Sequence, residues 1–201
     1  MRFEFIAGAL CLEFANTIHD WRADDKEEEL RDVSDLLQWA EEAGLLSAGE
    51  HDRLCMHYKR NPRKAAAALT KAVTIRDLLI SIFSTIANGR PVSSDRLSEL
   101  NSALAQAPGL LRVHKKAGRI EKEWKSTADG LEQVLFPILT STADLLASDR
   151  LERMRECTSP DCTWLFIDES RNRSRCWCDM SSCGNRMKAR RHYQRTNAAK
   201  Q

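Results

Sequence analysis

The sequence predicts a mainly helical chain that ends in a small, cysteine-rich and basic module. Three observations predict it. Through most of residues 1–150 apolar residues recur every three or four positions, the spacing of one helix face. Five of the seven cysteines (Cys157, Cys162, Cys176, Cys178 and Cys183) fall within 27 residues. Charge divides at the same place, with 20 Lys/Arg against 23 Asp/Glu in residues 1–150 and 11 against 6 in residues 151–201. A helical domain over 1–150 and a small second domain over 151–201 are therefore expected. The 201 residues are 42% hydrophobic and 30% charged, a balance that supports a packed core and excludes a wholly disordered or collagen-like chain. No apolar run approaches the roughly 18 residues that cross a bilayer. Phe5–Leu12 lies between Glu4 and Glu13 without a cleavage signal. A cytoplasmic protein with no membrane partner is expected.

Leu10, Phe14, Ile18 and Trp21 at helical spacing predict a first helix whose other side carries Glu13, Asn16, Thr17 and Asp20. An exposed acidic run follows at Asp24–Glu29. Asp32 or Ser34 then caps a helix bearing Leu36, Leu37, Trp39 and Ala40, which ends at Gly44. Ser47 and Glu50 form a capping box for a helix through Leu54 and Tyr58. Pro62 suits the first turn of the longest helix, which runs on from Ala65 to Ala87 with Leu69, Val73, Arg76, Leu79, Ile80, Phe83 and Ile86 at helical spacing. Asn88-Gly89-Arg90-Pro91 breaks it, Ser93 or Ser94 starts the next, and Pro108-Gly109 ends that one. Leu111 and Val113, then Ile120 and Trp124, alternate with polar residues across a Lys115–Gly118 turn, which predicts a β-hairpin. A last helix spans about Ser126 to Ala147, with Pro137 as a kink.

The cysteine spacing is Cys157-x4-Cys162, fifteen residues, then Cys178-x4-Cys183. Two thiolate pairs so separated can converge on one tetrahedral zinc ion, which replaces the core that so small a module lacks. Four sulfurs leave no position for water, so the ion is structural rather than catalytic. The other reading is a pair of disulfides or unconnected buried thiols. Trp164–Ile167 is strand-like and expected to pair with the segment Arg175-Cys176-Trp177. Cys176 is surplus; on a strand it would point the same way as Cys178. The last ligand would precede a helix, where the positive dipole end favours a thiolate. This order suggests a treble-clef or ribbon-like module.

Within residues 171–201 nine Lys/Arg face a single acid, Asp179. At about 100° per residue, Arg186 and Arg190 lie close together and Lys188, Arg191 and Arg195 form an adjoining sector. Ala189 and Tyr193 would pack on the module. Such a surface suits phosphates, with Asn185, Arg186 or Arg190 near base edges and Arg171, Arg173 and Arg175 extending it. Too few free aromatics are present to stack single strands, so duplex DNA is the expected partner. In the helical domain Asn16, Thr17 and His19, with Arg76 approaching from the long helix, would line a pocket for a small-molecule effector. Alternatively these groups cap and bridge backbone. His51, His57, His114 and His192 show no catalytic metal spacing, and no phosphate loop or nucleophile elbow occurs, so an enzyme is not expected.

Cys183-Gly184-Asn185-Arg186, preceded by Leu165-Phe166-Ile167-Asp168-Glu169-Ser170, resembles the CGNR-type zinc finger. Gly8-Ala9-Leu10-Cys11-Leu12-Glu13-Phe14-Ala15-Asn16-Thr17 and Asp35-Leu36-Leu37-Gln38-Trp39-Ala40 resemble the ABATE domain of stress-induced bacterial transcription regulators. The resemblance implies a mainly helical first domain with a small β element and a DNA-binding finger. The family's Arg-Arg-Trp-Cys stands here as Arg175-Cys176-Trp177-Cys178, which removes one cation. The combined expectation is a zinc-dependent DNA-binding transcription regulator that senses a small molecule or stress signal. A two-fold operator would require a homodimer. The alternative is a zinc-stapled protein-interaction or thiol redox-sensing module.

Overall fold

The computed structural model describes residues 2–106, 111–116, 119–124 and 130–198; for 111–116, 119–124, 197 and 198 the description stops at the backbone. The first element, α1 (Leu10–Ala15), is shorter than its apolar spacing predicts. The chain turns out of the helix at Asn16, where the Thr17 N–H and hydroxyl both donate to the Phe14 carbonyl. Ile18–His19 (β1) then pairs antiparallel with Glu27–Glu28 (β2), and Asp20 takes a left-handed φ of 41°. Ile18 and Trp21 therefore do not continue a helix face, and Glu28 is half-buried rather than part of an exposed acidic run. β-Branched Ile18 suits the extended backbone, and long-range pairing overrides a short periodic signal.

The next elements follow the sequence closely. α2 (Val33–Glu42) is capped by Asp32, whose side chain accepts from Ser34 N–H and Asp35 N–H, and the chain leaves it through Gly44 at φ +75°. α3 (Ala48–Arg60) carries the full Ser47–Glu50 capping box. α4 (Pro62–Ala87) is the axis of the fold: it touches α1, α2, α3, the next helix α5 (Ser94–Leu104) and elements of the C-terminal module. Ser93 caps α5. β3 (Leu111–Lys116) and β4 (Arg119–Trp124) form the expected hairpin. The Pro108-Gly109 stop, the last two residues of the Lys115–Gly118 turn and a helix start at Ser126 lie outside the described residues. α6 (Leu131–Leu146) begins only after Gly130, whose left-handed φ of 67° a helix cannot pass through. A side chain on Gly130 would also meet the Leu54 side chain at 2.3 Å. Pro137 sits within α6 without ending it.

A short 3-10 turn (Asp149–Arg153) leads into β5 (Met154–Glu156), which pairs antiparallel with β6 (Leu165–Ile167). The partner of the Trp164–Ile167 strand thus precedes the first cysteine pair, and the segment Arg175–Trp177 is not a strand. All three residues of β6 are buried, so its apolar run is a core strand and not a half-exposed one. A wide turn (Met180–Gly184) and α7 (Asn185–Ala198) are the last described elements.

One apolar core runs through both parts of the molecule, from Phe3, Phe14 and Trp39 through Leu79 and Phe83 to Trp164, Leu165, Phe166 and Ile167. Polar groups stitch the same seam. Asn16 Nδ2 donates to the Leu165 carbonyl and Asn16 Oδ1 accepts from Leu165 N–H, both at 2.9 Å. Ile167 N–H donates to the Ala7 carbonyl at 2.8 Å. Glu13, nearly buried, accepts from the N–H groups of Ile6, Ala7 and Gly8 and so fixes the loop that receives Ile167.

Candidate metal centre and nucleic-acid interface

β5 and β6 project a loop whose ends are held by backbone. Cys157 N–H donates to the Trp164 carbonyl at 2.8 Å, one step beyond the ladder, and Cys162 N–H donates to Ser159 O at 3.1 Å, which tightens the turn between the two thiols. Cys178 and Cys183 arrive from the other side. Asp179 accepts from Ser182 N–H at 2.8 Å and from the Ser181 hydroxyl, and Gly184 N–H donates to Asp179 O at 3.0 Å, so Cys183 is fixed directly before α7. Gly184 matters here: a Cβ would lie 3.3 Å from the Trp177 ring and 2.5 Å from the Met180 sulfur.

The four Sγ atoms of Cys157, Cys162, Cys178 and Cys183 are buried and all within 4.8 Å of one another. Cys162 and Cys178 are 3.7 Å apart, and Cys178 and Cys183 3.6 Å. Zinc bonded to four sulfurs at about 2.3 Å gives an S–S edge of about 3.8 Å, whereas a disulfide requires about 2.05 Å. The donor set therefore fits one tetrahedral zinc, and the disulfide reading is excluded for these four. Protonation points the same way. Hydrogen bonds from the Cys162 and Cys178 thiols push Cys157 down, and hydrogen bonding to Cys157, together with burial, pushes Cys162 and Cys178 up. Four buried thiolates cannot coexist without a cation; one divalent ion replaces the shared protons and lets all four ionise. With four protein ligands the centre is closed to water and structural.

Around the thiols, sequence reasoning missed the inward role of Arg175. It is not part of the exposed cationic surface. Its guanidinium lies 4.4 Å from the Phe166 ring centroid, Nε donates to the Trp177 carbonyl at 3.0 Å, and Nη2 donates to the Cys178 and Ile6 carbonyls. Arg175 thus positions a ligand-bearing segment. Asp168, fully buried, accepts from Ser170 N–H and Arg175 N–H. Burial opposes its charge, yet these donors hold its carboxyl below the usual range. An acidic residue directly after the apolar run Trp164–Ile167 was the hint the sequence offered. Cys176 does not point the way of Cys178: it is exposed, and its carbonyl accepts from the Thr158 N–H and hydroxyl.

α7 leaves the metal centre as an exposed rod. Arg186, Lys188, Arg190, Arg191 and Arg195 are all exposed, and no acid occurs in the helix. Ala189 and Tyr193 do not pack on the module; Tyr193 is 68% exposed, and half-buried Met187 marks the inner side instead. Arg191 lies 5.8 Å from the Trp177 ring centroid and Arg190 pairs with Asp161 at 3.2 Å. Asn185 Nδ2 donates to Ser181 O, close to the helix start. Arg171 and Arg173 are exposed on the preceding loop, with Arg173 3.8 Å from Glu152. Arg190 and Arg173 are thus each offset by one exposed acid, whereas Arg171, Arg186, Lys188, Arg191 and Arg195 have no acidic partner among the described residues and turn their charge toward solvent.

The N-terminal candidates are not gathered round one cavity. Asn16 holds Leu165, buried Thr17 closes α1, and His19 pairs with Glu29 at 3.1 Å while stacking on Trp164 at 4.7 Å. Arg76, 1% exposed, makes a two-nitrogen pair with Glu28 at 2.6 and 2.7 Å and lines a cavity without the other three.

Two family models match the chain. The ABATE model, described as "Putative stress-induced transcription regulator", covers residues 8–149. The CGNR zinc finger model covers residues 153–196. No curated protein matches.

Proposed function

The chain belongs to the ABATE family, whose model is described as "Putative stress-induced transcription regulator", and from this premise we propose that it is a zinc-dependent, DNA-binding regulator whose helical domain senses a small molecule or stress signal. It acts by binding and not by catalysis. One observation carries the reading: a closed four-cysteine centre lies immediately before an exposed helix with five cations and no acid. A helix of fourteen residues is about 21 Å long, enough to lie in a major groove about 12 Å wide. Asn185, Arg186 and Arg190 at its start would approach base edges. Lys188, Arg191 and Arg195, with Arg171 and Arg173 on the loop, would meet phosphates. The shared core and the Asn16–Leu165 bridge supply a rigid route from the helical domain to the finger.

The test is duplex DNA binding by the zinc-loaded chain, followed by fluorescence anisotropy over a range of salt. Affinity should fall steeply with salt, because each neutralised phosphate releases condensed counterions. A Cys162→Ser variant that holds no zinc yet binds as tightly would overturn the mechanism. If replacing Arg186, Arg190 and Arg191 by Ala leaves binding to DNA and regulation unchanged, the finger is a zinc-stapled protein-interaction module instead.

A further inference from the structure

Residues 18–28 form a strap, β1 and β2 with the loop between them, that lies against α4 near the metal centre. Between strap and helix is a cavity of about 470 Å³, within the range of small-molecule sites. Ile18 and Ile80 give it apolar walls, Ser81 and Lys26 line it, and Trp21 and Arg76 close it. Two of the side chains that line this cavity carry a buried donor with no hydrogen-bond acceptor among the described residues: the Trp21 indole Nε1–H and the Arg76 Nε–H. The Arg76 Nη groups are taken by Glu28, and a carboxylate oxygen of Asp77 lies 3.6 Å from Nε, beyond hydrogen-bond distance. Native proteins rarely leave buried N–H groups unpaired, and two at one cavity call for an oxygen acceptor.

We propose that this cavity binds a small carboxylate with a flat apolar body, and that its occupation reaches the metal centre through Trp21 and Arg22. The proposal names the ligand class for the sensing role above and rests on that reading. Both unpaired groups are donors, so a carboxylate satisfies them where an amide would bring further donors. The charge of Arg76 is already matched by Glu28, and Lys26 is balanced by Asp77 on the same lining, so the carboxylate is selected by the two donors and not by a net positive field. The route outward is short. Trp21 N–H donates to Thr163 Oγ1 at 3.1 Å, next to the ligand Cys162. Arg22 stacks on the Trp21 ring at 4.3 Å and pairs through both terminal nitrogens with Glu156, next to the ligand Cys157. A strap displaced by a ligand therefore pulls on both members of the first thiolate pair.

The test uses the full zinc-loaded chain, benzoate as the probe and benzamide as its uncharged counterpart. Calorimetry should show saturable single-site binding of benzoate, with benzamide about ten-fold weaker. Ser81→Phe, which fills the cavity from its half-buried rim, should weaken benzoate at least about ten-fold. Trp21→Phe keeps an aromatic ring, though a smaller one, and removes the indole donor, and should weaken it by a similar factor, which guards against a misfolded Ser81→Phe. In an amide correlation spectrum the Trp21 indole and the Thr163 backbone N–H should shift together and saturate at one concentration. Absence of saturable binding, or binding indifferent to both variants, overturns the site. Equal binding of benzamide overturns the carboxylate, and movement of Trp21 without Thr163 overturns the link to the metal. None of these readouts involves DNA, so they fail separately from the regulator reading.

Discussion

The helical part and the finger are held by different physics, although they share one core. Residues 10–104 bury long apolar faces around α4, and their helices are closed by Asp32, the Ser47–Glu50 box and Ser93. Beyond β6 the chain has almost no apolar support of its own. Its order comes from four sulfurs, a buried aspartate and the inward Arg175. The difference teaches that the finger is two layers. Its strand side, Trp164–Ile167, belongs to the helical core, and its ligand side depends on the ion.

Metal removal should break the comparison most visibly. Chelation, or Cys162→Ser, should abolish DNA binding and release α7, because the ion's bonds to four sulfurs tie the start of α7 to the β5–β6 loop far more strongly than weak thiol hydrogen bonds can. The helical part should keep its structure, since its core is apolar. Far-ultraviolet circular dichroism should therefore lose only the share of helix carried by α7, and the remaining unfolding transition should stay cooperative. Loss of all helix on chelation would show that the ion holds the whole fold.

The second effect probes the seam. Asn16 is 5% exposed and satisfies both backbone groups of Leu165. Asn16→Ala leaves a buried N–H and a buried carbonyl unpaired, a loss of about 2–4 kcal/mol. Chemical denaturation should show it, and it should loosen the finger in zinc-loaded protein. An unchanged midpoint would mean that the two parts are coupled by apolar contact alone.

These two effects also show what the sequence could and could not reveal. Capping residues and the 3.6-residue period act locally, so α2, α3, α4 and α5 were legible, as was the zinc donor set from its x4 spacing. Partner choice between distant segments is not local. Leu10, Phe14, Ile18 and Trp21 have helical spacing, yet β1 leaves the helix to pair with β2, and Leu165 draws Asn16 out of a polar stripe into the core. For the same reason β6 pairs with β5 and not with Arg175–Trp177, and Arg175 serves carbonyl oxygens instead of phosphates. A charge count reads how many cations a segment has, but not which way each one turns.

A smaller effect separates Arg175 from the exposed cations. Lys188→Ala or Arg195→Ala should weaken DNA binding evenly across sequences and reduce the salt slope by about one each. Neither should change thermal stability, since both side chains are exposed. Arg175→Ala should do the reverse, lowering finger stability by about 1–3 kcal/mol through its lost carbonyl contacts. A salt-slope change for Arg175→Ala with unaltered stability would return it to the DNA surface.

The smallest effects are titrations of opposite sign, one in each region. Asp35 sits where α2 meets the N-terminal segment. Burial disfavours its charge, but Arg2 and Arg31 outweigh that and bring it from 3.8 to about 2. A depressed folded value means that the stabilisation is complete above the unfolded value and is lost as pH falls from about 4 to about 2. Both arginines are largely exposed, so the screened effect is of order 1 kcal/mol. His19, at the seam, is shifted the other way: its hydrogen bond to Glu29 raises it above 6.5 in spite of partial burial. A raised folded value means that its contribution is complete below 6.5 and fades as pH rises through the folded value. The stability difference between the wild type and Asp35→Asn should therefore shrink in acid. The difference between the wild type and His19→Gln should shrink toward alkaline pH, together with the packing of Trp164 seen in its fluorescence. Two differences that shrink in the same direction would show that His19 is held neutral, and that the seam is fastened by ring stacking rather than by charge.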